Sequence, residues 1–294
     1  MTPPPAAAPA AIVAQSGASV MIGAGDIHSC TSQIGSSTAA LVDSVLRADS
    51  TAKVNDAVFL LGDNATAGGP TQYADCFTRT WGDLGKRSGK KLHPTPGNHE
   101  YDTGNADQYF KYFGAAAGSP GKGFYSYDVG EWHVIVVNSN MIVSNDFPEA
   151  ARAEQMRWLE DDLKAHKTPC TIAYWHQPRF SSGWHGSNAQ LGPLWQLLYD
   201  HNVELVLSGH DHGYERFQPM SPAGVRDTVK GITAIVAGTG GGTLRGFSKI
   251  LPNSAYRIEG RHGVLLLTLG KAEYRSAFLE VGGRVWDMSG GKCH

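Results

Sequence analysis

The sequence carries little charge and no long hydrophobic run. Asp, Glu, Lys and Arg make up 18% of its 294 residues, and the formal net charge is −2. A nearly neutral chain lacks the basic surface that attracts nucleic acid or an anionic membrane. No apolar run approaches the roughly 20 residues of a membrane-spanning helix. With 41% hydrophobic residues, the composition predicts a soluble globular protein with no nucleic-acid or membrane partner.

Residues 1–18 lack both the basic start and the sustained apolar stretch of a secretory signal. This segment, MTPPPAAAPAAIVAQSGA, has no charged side chain and is rich in proline and alanine. We interpret it as a flexible tether, of the kind that often precedes exported bacterial domains. Since no repeat and no interdomain linker follow, we predict one domain over residues 19–294. We therefore favour a protein that is exported to the periplasm or the extracellular space. The alternative is a cytosolic protein with an irregular N-terminal segment.

Apolar runs closed by glycine alternate with helical patterns along most of the chain. SVMIGAGD (Ser19–Asp26) and AVFLLGD (Ala57–Asp63) have the character of buried strands, and STAALVDSVLRA (Ser37–Ala48) between them has helical spacing. The last three apolar runs have no helix between them. This order predicts an α/β fold in which helices cover the sheets and the chain ends in antiparallel strands.

Polar residues follow five of the predicted strands, in the segments GDIH, GDN, GNHE, WHQP and SGHDH. Three of the four separations between these segments are 37 residues (Asp26 to Asp63), 35 residues (Asp63 to Asn98) and 34 residues (His176 to His210), about one strand–helix–strand unit each. Because ligands bind at the carboxyl ends of parallel strands, we expect these segments to meet at one edge. Each of these segments alone is common in turns. The prediction therefore depends on the occurrence of all five, in this order, after predicted strands.

The segment SGHDH offers two histidines separated by one residue. In an extended backbone the side chains of His210 and His212 face the same way, and Asp211 points elsewhere. Two imidazoles on one side of a strand end are suitable metal ligands.

The ordered set GDIH, GDN, GNHE, H and GHDH resembles the calcineurin-like metallophosphoesterases, and within them the purple acid phosphatase-like bacterial branch. WHQPRFSSGWHG, AGTGGGTLRG and the terminal CH are also similar to that branch, so the resemblance extends from Val20 to the C-terminus. It implies a four-layered α/β/β/α sandwich of two mixed β-sheets. It also implies hydrolysis of a small-molecule phosphoester, most readily a phosphate monoester as in acid phosphatases.

The resemblance implies two metal ions per chain, drawn from Zn, Fe and Mn. By motif position the ligands of the first ion are Asp26, His28, Asp63 and His212, and those of the second are the bridging Asp63, Asn98, His176 and His210. Two such cations clamp a phosphoryl group and acidify a bridging water, which gives hydroxide for in-line attack on phosphorus. His99 is implied to protonate the leaving oxygen, and His185 and Asn64 to contact phosphate.

The first metal site departs from the purple enzymes at Thr66, where they have a tyrosine whose phenolate binds ferric iron. His28 can fill the vacated position, and a neutral imidazole favours a divalent ion. We therefore predict no visible charge-transfer band, with Tyr73 and Tyr101 as the alternative phenolate ligands. In some members of the family that the sequence resembles, an aspartate at the position of Thr66 orients the catalytic histidine. His99 therefore needs another hydrogen-bond acceptor for its ring.

Two other functions stay open. A phosphodiesterase or nuclease of the same fold lacks support because the sequence has no basic stripe with interleaved aromatics. A non-catalytic metal-binding module is disfavoured because every metal position and His99 are present.

Four cysteines permit two disulfides with three possible connectivities. We favour Cys30–Cys76, because Cys30 follows the first predicted strand and Cys76 the second, which leaves Cys170 with Cys293. Four free thiols in a cytosolic enzyme are the alternative.

Overall fold

The structure, a computed structural model, describes residues 18–27, 33–48, 56–65, 72–89 and 91–294. The predicted tether, apart from Ala18, lies outside the described residues, as do His28, Cys30 and Thr66. Predictions that depend on those positions stay predictions.

The described strands form two mixed sheets, of six and seven strands. Their bounds are β1 Ser19–Ala24, β2 Ala57–Leu60, β3 Lys91–Pro94, β4 Tyr125–Val129, β5 Trp132–Val136, β6 Cys170–Tyr174, β7 Leu205–Ser208, β8 Tyr214–Phe217, β9 Thr233–Ala237, β10 Ser254–Ile258, β11 Gly263–Leu269, β12 Glu273–Glu280 and β13 Val285–Lys292. The first sheet has the order β13-β12-β11-β1-β2-β3 and the second β10-β8-β9-β7-β6-β5-β4. Parallel pairs join β1 to β2, β2 to β3, β5 to β6, β6 to β7 and β7 to β9.

Helices cover the outer faces of the two sheets. Their bounds are α1 Ile34–Ala48, α2 Leu84–Ser88, α3 Asp107–Phe113, α4 Asn140–Val143, α5 Glu149–Ala165 and α6 Gly192–Asp200. Between β2 and β3 lies a π-helix, Gln72–Gly82, which α2 follows directly. Within the described ranges, no helix combines the length and the apolar character that a bilayer span requires.

Three buried apolar clusters separate the four layers. Met21 of β1 packs in the cluster between the two sheets, whereas its neighbours Val20 and Ile22 pack with residues of α1 on the outer face. On the other side, Ile135 of β5 packs with residues of α5 and α6, among them Trp195. Both faces of these strands are therefore buried, which explains their continuous apolar sequences. The α/β/β/α sandwich expected from the sequence is confirmed.

A disulfide joins Cys170, the first residue of β6, to Cys293, just after β13. It connects the two sheets at the edge opposite the polar strand ends, and it confirms the second predicted pairing. The first pairing involves Cys30 and stays a prediction.

Candidate metal centre

The polar segments follow the parallel strands at a common edge of the sandwich. The turns there are sharp, since Asp26, Asp63 and His210 have positive φ angles of 59°, 50° and 68°. Non-glycine residues rarely adopt this conformation, and it is often found at functional sites. The extended backbone expected at His210 was therefore wrong: β7 ends at Ser208, and the left-handed residue redirects the chain.

Two glycines allow the turns to approach each other closely. Gly62 has φ of +85°, and a Cβ atom there would lie 2.6 Å from Nδ1 of His176. A Cβ atom on Gly97 would lie 2.1 Å from Oδ1 of Asp63. The glycines of GDN and GNHE thus permit the segments to pack at a separation that a side chain would prevent.

Electron-pair donors converge around His176. Its Nδ1 donates to the carbonyl of Leu61 at 2.7 Å, which directs Nε2 towards the site. Nε2 lies 3.2 Å from Oδ2 of Asp63, 3.1 Å from Oδ1 of Asn98 and 3.2 Å from Nδ1 of His210. Donor atoms bound to one metal at about 2.0–2.1 Å are roughly 3.3 Å apart in tetrahedral geometry. One proton on Nε2 can serve only one of these neighbours, whereas a cation can attract them all.

A second convergence lies between Asp26 and His212. Nδ1 of His212 donates to the carbonyl of Thr243 at 2.7 Å, and Nε2 faces Oδ1 of Asp26 at 3.2 Å. That oxygen is buried, and the imidazole of His212 is its near polar neighbour. Oδ2 of Asp26 accepts the backbone N–H of His210 at 2.8 Å. A buried carboxylate oxygen that faces an imidazole nitrogen at this distance suits a cation between them, because both atoms are good metal ligands.

Charges within the protein alone strongly bias the protonation of these groups. Burial disfavours a charged His176, but the facing Asp63 carboxylate outweighs this effect and raises the pKa of His176 to about 10. Burial and the nearby His176 lower the pKa of His210 to about 3, so its lone pair is available. The pKa of Asp63 is held well below its usual value, despite burial, by His176. The buried site thus already pairs its carboxylates with positive charge.

His99 lies beside this centre and has an acidic partner. Its backbone N–H donates to Oδ1 of Asp63 at 2.9 Å, and its Nε2 lies 3.8 Å from Oδ2 of the same residue. Nδ1 lies 2.6 Å from Oδ2 of Asp102. Burial opposes a charge on the imidazole, but Asp63 and Asp102 outweigh it and raise the pKa of His99. Asp102 is therefore the acceptor that the sequence analysis required without finding it.

Glu100 is a second residue that the sequence analysis missed. Its carboxylate is buried and accepts the backbone N–H groups of Gly97, Asp63 and Asn64 at 2.6, 3.0 and 2.9 Å. It also accepts the hydroxyl of Tyr73 at 3.0 Å. Glu100 therefore holds the GDN and GNHE turns together, and its position in GNHE was the signal available in the sequence.

The two predicted phosphate contacts have different surroundings. The ring of His185 stacks on that of His210, with centroids 4.2 Å apart, and its Nδ1 lies 3.2 Å from Oδ1 of Asp211. Asp211 also accepts the backbone N–H of His185 at 2.7 Å, so it points away from the metal centre as expected and positions His185. Asn64 is buried, and its amide nitrogen donates to the carbonyl of Thr95 at 3.1 Å.

The two tyrosines considered as phenolate ligands are engaged elsewhere. Tyr73 donates to Glu100 and is buried, and burial followed by the charge of Glu100 raises its pKa well above the usual value. The hydroxyl of Tyr101 accepts from Nδ2 of Asn138 at 2.7 Å, and burial raises its pKa to about 12. Neither phenol is placed or acidified to bind a metal at this centre.

Residues 21–214 match the calcineurin-like phosphoesterase family. The chain belongs to this family. The matched range of this calcineurin-like phosphoesterase contains all of the predicted site residues, from Asp26 to His212.

Among its relatives, purple acid phosphatase 21 of Arabidopsis thaliana is 28% identical over 172 residues, 52% of this chain and 38% of that protein. Acid phosphatase type 7 of Homo sapiens is 31% identical over 143 residues, 42% of this chain and 32% of that protein. The matches thus span well under half of these two curated relatives. The purple acid phosphatase from yellow lupin (Lupinus luteus) seeds has the same fold, with a TM-score of 0.72 at 20% identity over 95% of this chain and 54% of that one.

Proposed function

We propose that this calcineurin-like phosphoesterase hydrolyses phosphate monoesters of small molecules, with two divalent cations at the candidate metal centre. The observation that carries the proposal is the convergence on Nε2 of His176. Asp63, Asn98 and His210 each direct a carboxylate, amide or imidazole donor atom to within 3.1–3.2 Å of it. Carboxylate, amide and imidazole donors together suit Zn, Fe or Mn.

The ligand sets follow from the two convergences and the motif positions. One cation would be held by Asp63, Asn98, His176 and His210, and the other by Asp26, Asp63, His212 and His28. In this assignment both cations share Asp63. The position of Asp63 supports this, because it lies between His176 and the turn that carries Asp26. The backbone N–H of Asp26 donates to the carbonyl of Gly62 at 3.0 Å, and that of Ile27 donates to the carbonyl of Asp63 at 3.1 Å. Because the ligands are four imidazoles, one amide and two carboxylates, with no phenolate, divalent ions are favoured over ferric iron, and the protein should lack a purple colour.

When bound, the two cations would clamp the phosphoryl group and lower the pKa of a water for attack on phosphorus. The protein's own contribution is to the leaving group. His99 is half-exposed beside the centre, and the Asp102 carboxylate on its Nδ1 favours a protonated ring. It can therefore donate a proton to the departing alkoxide. His185, held by Asp211, would donate to a phosphoryl oxygen from the solvent side. Asn64 is a weaker candidate for that contact, because Thr95 already engages its amide donor.

Turnover of an aryl phosphate monoester and of the matching diester tests this function. We expect the metal-loaded protein to hydrolyse the monoester with the higher kcat/KM, and a chelator to abolish both reactions. A higher kcat/KM for the diester would identify a phosphodiesterase instead. Full metal occupancy without turnover of any phosphoester would identify a non-catalytic metal-binding module.

We also propose that the protein acts outside the cytoplasm, in the periplasm or the extracellular space. The Cys170–Cys293 disulfide supports this location, because disulfides persist in oxidising compartments. Thiol titration of denatured, unreduced protein isolated from its native source tests the proposal: free thiols at Cys170 and Cys293 would contradict it.

A further inference from the structure

A second cluster of histidine and aspartate lies at the other end of the strands of the second sheet, away from the candidate metal centre. His133 is at the start of β5, whose first residue pairs with the first residue of the parallel β6, whereas His176 follows the end of β6. Asp162 lies in the last turn of α5, and His166 directly follows that helix. The candidate donor atoms of His133, Asp162 and His166 lie within 4.8 Å of one another.

The fold positions each of these side chains. Trp132 and Val134 of β5 pack between the sheets, so the alternate residue His133 faces α5. Asp162 and His166 are four residues apart at a helix end and therefore share one face. Nε2 of His133 lies 2.6 Å from Oδ2 of Asp162, and Nδ1 of His166 lies 3.4 Å from Oδ1 of Asp162.

Two further residues orient the cluster. Oδ1 of Asp128, on the neighbouring strand β4, lies 3.1 Å from Nδ1 of His133. Ser126, also on β4, donates its hydroxyl to Oδ1 of Asp162 at 2.7 Å. A carboxylate on the distal nitrogen of a histidine fixes its tautomer and makes the other nitrogen a better metal ligand. This is the arrangement that His133 has between Asp128 and Asp162.

We propose that His133, Asp162 and His166 bind one Zn²⁺ ion, at a site separate from the candidate metal centre. Two imidazoles and one carboxylate are common zinc ligands, and a water can take the fourth position at the exposed side. The charge also matches, because the two carboxylates of Asp128 and Asp162 balance one divalent cation. The rings of His133 and His166 lie parallel, 4.0 Å apart, over the single carboxylate that they share.

Side-chain rearrangement within the cluster is needed to accept the ion. Donor atoms on a tetrahedral Zn²⁺ ion are roughly 3.3 Å apart, and Nδ1 of His166 lies 3.4 Å from Oδ1 of Asp162. That nitrogen also lies 2.9 Å from the backbone carbonyl oxygen of Asp162, so this hydrogen bond must be released when Nδ1 binds the ion. The shorter contact between His133 and Asp162 must open, as the ion replaces the proton that these two residues share. The ring of His166 must turn out of the stack, which is possible because its side chain is 40% exposed at the end of the helix. The ion would then connect the end of α5 to the start of β5.

Zinc content after loading and exhaustive dialysis tests the proposal. The parent protein is a His210→Ala variant, in which the candidate metal centre is impaired, and His166→Ala is added to it. We expect the added substitution to remove one Zn²⁺ per chain. His201→Ala, at the end of α6, is the matched control and should remove none. His166→Asn provides a second variant of the same exposed position, with the same expected loss.

Anomalous scattering at the zinc edge locates the ion in crystals of the wild-type protein. A peak within bonding distance of His133, Asp162 and His166 is the expected result. Equal zinc content with and without His166→Ala, or no peak at this cluster, would overturn the proposal and leave the cluster as an ion-pair network. Neither readout uses phosphoester turnover, so an inactive protein would refute the proposed function without affecting this test.

Discussion

Nδ1 of His99 lies 2.6 Å from Oδ2 of Asp102, three residues further along the same short 3₁₀ turn. The contact fixes the ring so that Nε2 faces the candidate metal centre. It also helps to raise the pKa of His99 against the effect of burial. A proton donor to a leaving group must remain protonated at the working pH, so Asp102 is assigned to positioning and proton retention.

Asp102→Asn should move the alkaline limb of the pH–rate profile to lower pH for phosphate esters with poor leaving groups. The raised pKa of His99 keeps the imidazole protonated over a wider pH range, and activity is lost as pH rises through that pKa. Removing the Asp102 charge lowers the pKa, so the loss begins earlier, with a decrease in kcat of about 10-fold on the alkaline side. Asp107→Asn, an exposed aspartate on α3, is the control. An unchanged profile for Asp102→Asn would refute the positioning role.

His99→Ala should lower kcat by about 10²–10⁴ for alkyl phosphates and leave the metal content unchanged. The loss should shrink for acidic phenols, since these leave without a proton. Asn98→Ala is the comparison, because it should instead reduce metal occupancy. An equal loss across a series of leaving-group pKa values would mean that His99 does not act as the acid.

Glu100→Gln should destabilise the protein by about 2–3 kcal/mol and weaken metal retention, although Glu100 is not a candidate ligand. The carboxylate accepts backbone N–H groups from both metal-bearing turns. An amide has only one acceptor oxygen, and its NH₂ group would face an N–H donor. Thermal unfolding and metal content after dialysis measure the two effects. Glu154→Gln, which breaks only an exposed pair with Lys122, should change neither.

Trp184→Ala should raise KM for aryl phosphates by about 10-fold and leave KM for alkyl phosphates nearly unchanged. The Trp184 side chain is 61% exposed, its ring centroid is 4.8 Å from that of His185, and the guanidinium of Arg245 lies 4.2 Å above it. This surface extends from the candidate metal centre towards solvent and suits a planar leaving group. Met288→Ala, also 61% exposed, is the control. Equal changes in KM for both substrate classes would contradict the contact.

The sequence predicted which segments meet, but not how their backbones turn. Strand–helix spacing placed Asp63 and His176 at one edge, because parallel strands end together. The reasoning about His210 assumed an extended strand, and only the three-dimensional packing produces its left-handed conformation. Asp102 and Glu100 act through contacts across tight turns, which spacing alone does not specify.

Weak patterns make strands β4 and β13 hard to recognise in the sequence. Strand β4, YSYDV, is half-buried at the edge of its sheet, so it lacks the continuous apolar run of β5 or β6. Strand β13, VWDMSGGK, has two consecutive glycines between polar residues in its exposed half and no apolar run. Both strands are stabilised by pairing with the strand next to them along the chain, β4 with β5 and β13 with β12, and this pairing outweighs their weak local pattern.

The central claim is that Asp63 is shared by two cations. Anomalous difference maps from crystals of the metal-loaded protein, recorded at the edges of Zn, Fe and Mn, test it most directly. Two peaks about 3.5–4 Å apart on either side of Asp63 are predicted, one near His176 and the other near His212. A single peak at this centre, or two peaks that do not both contact Asp63, would contradict the account.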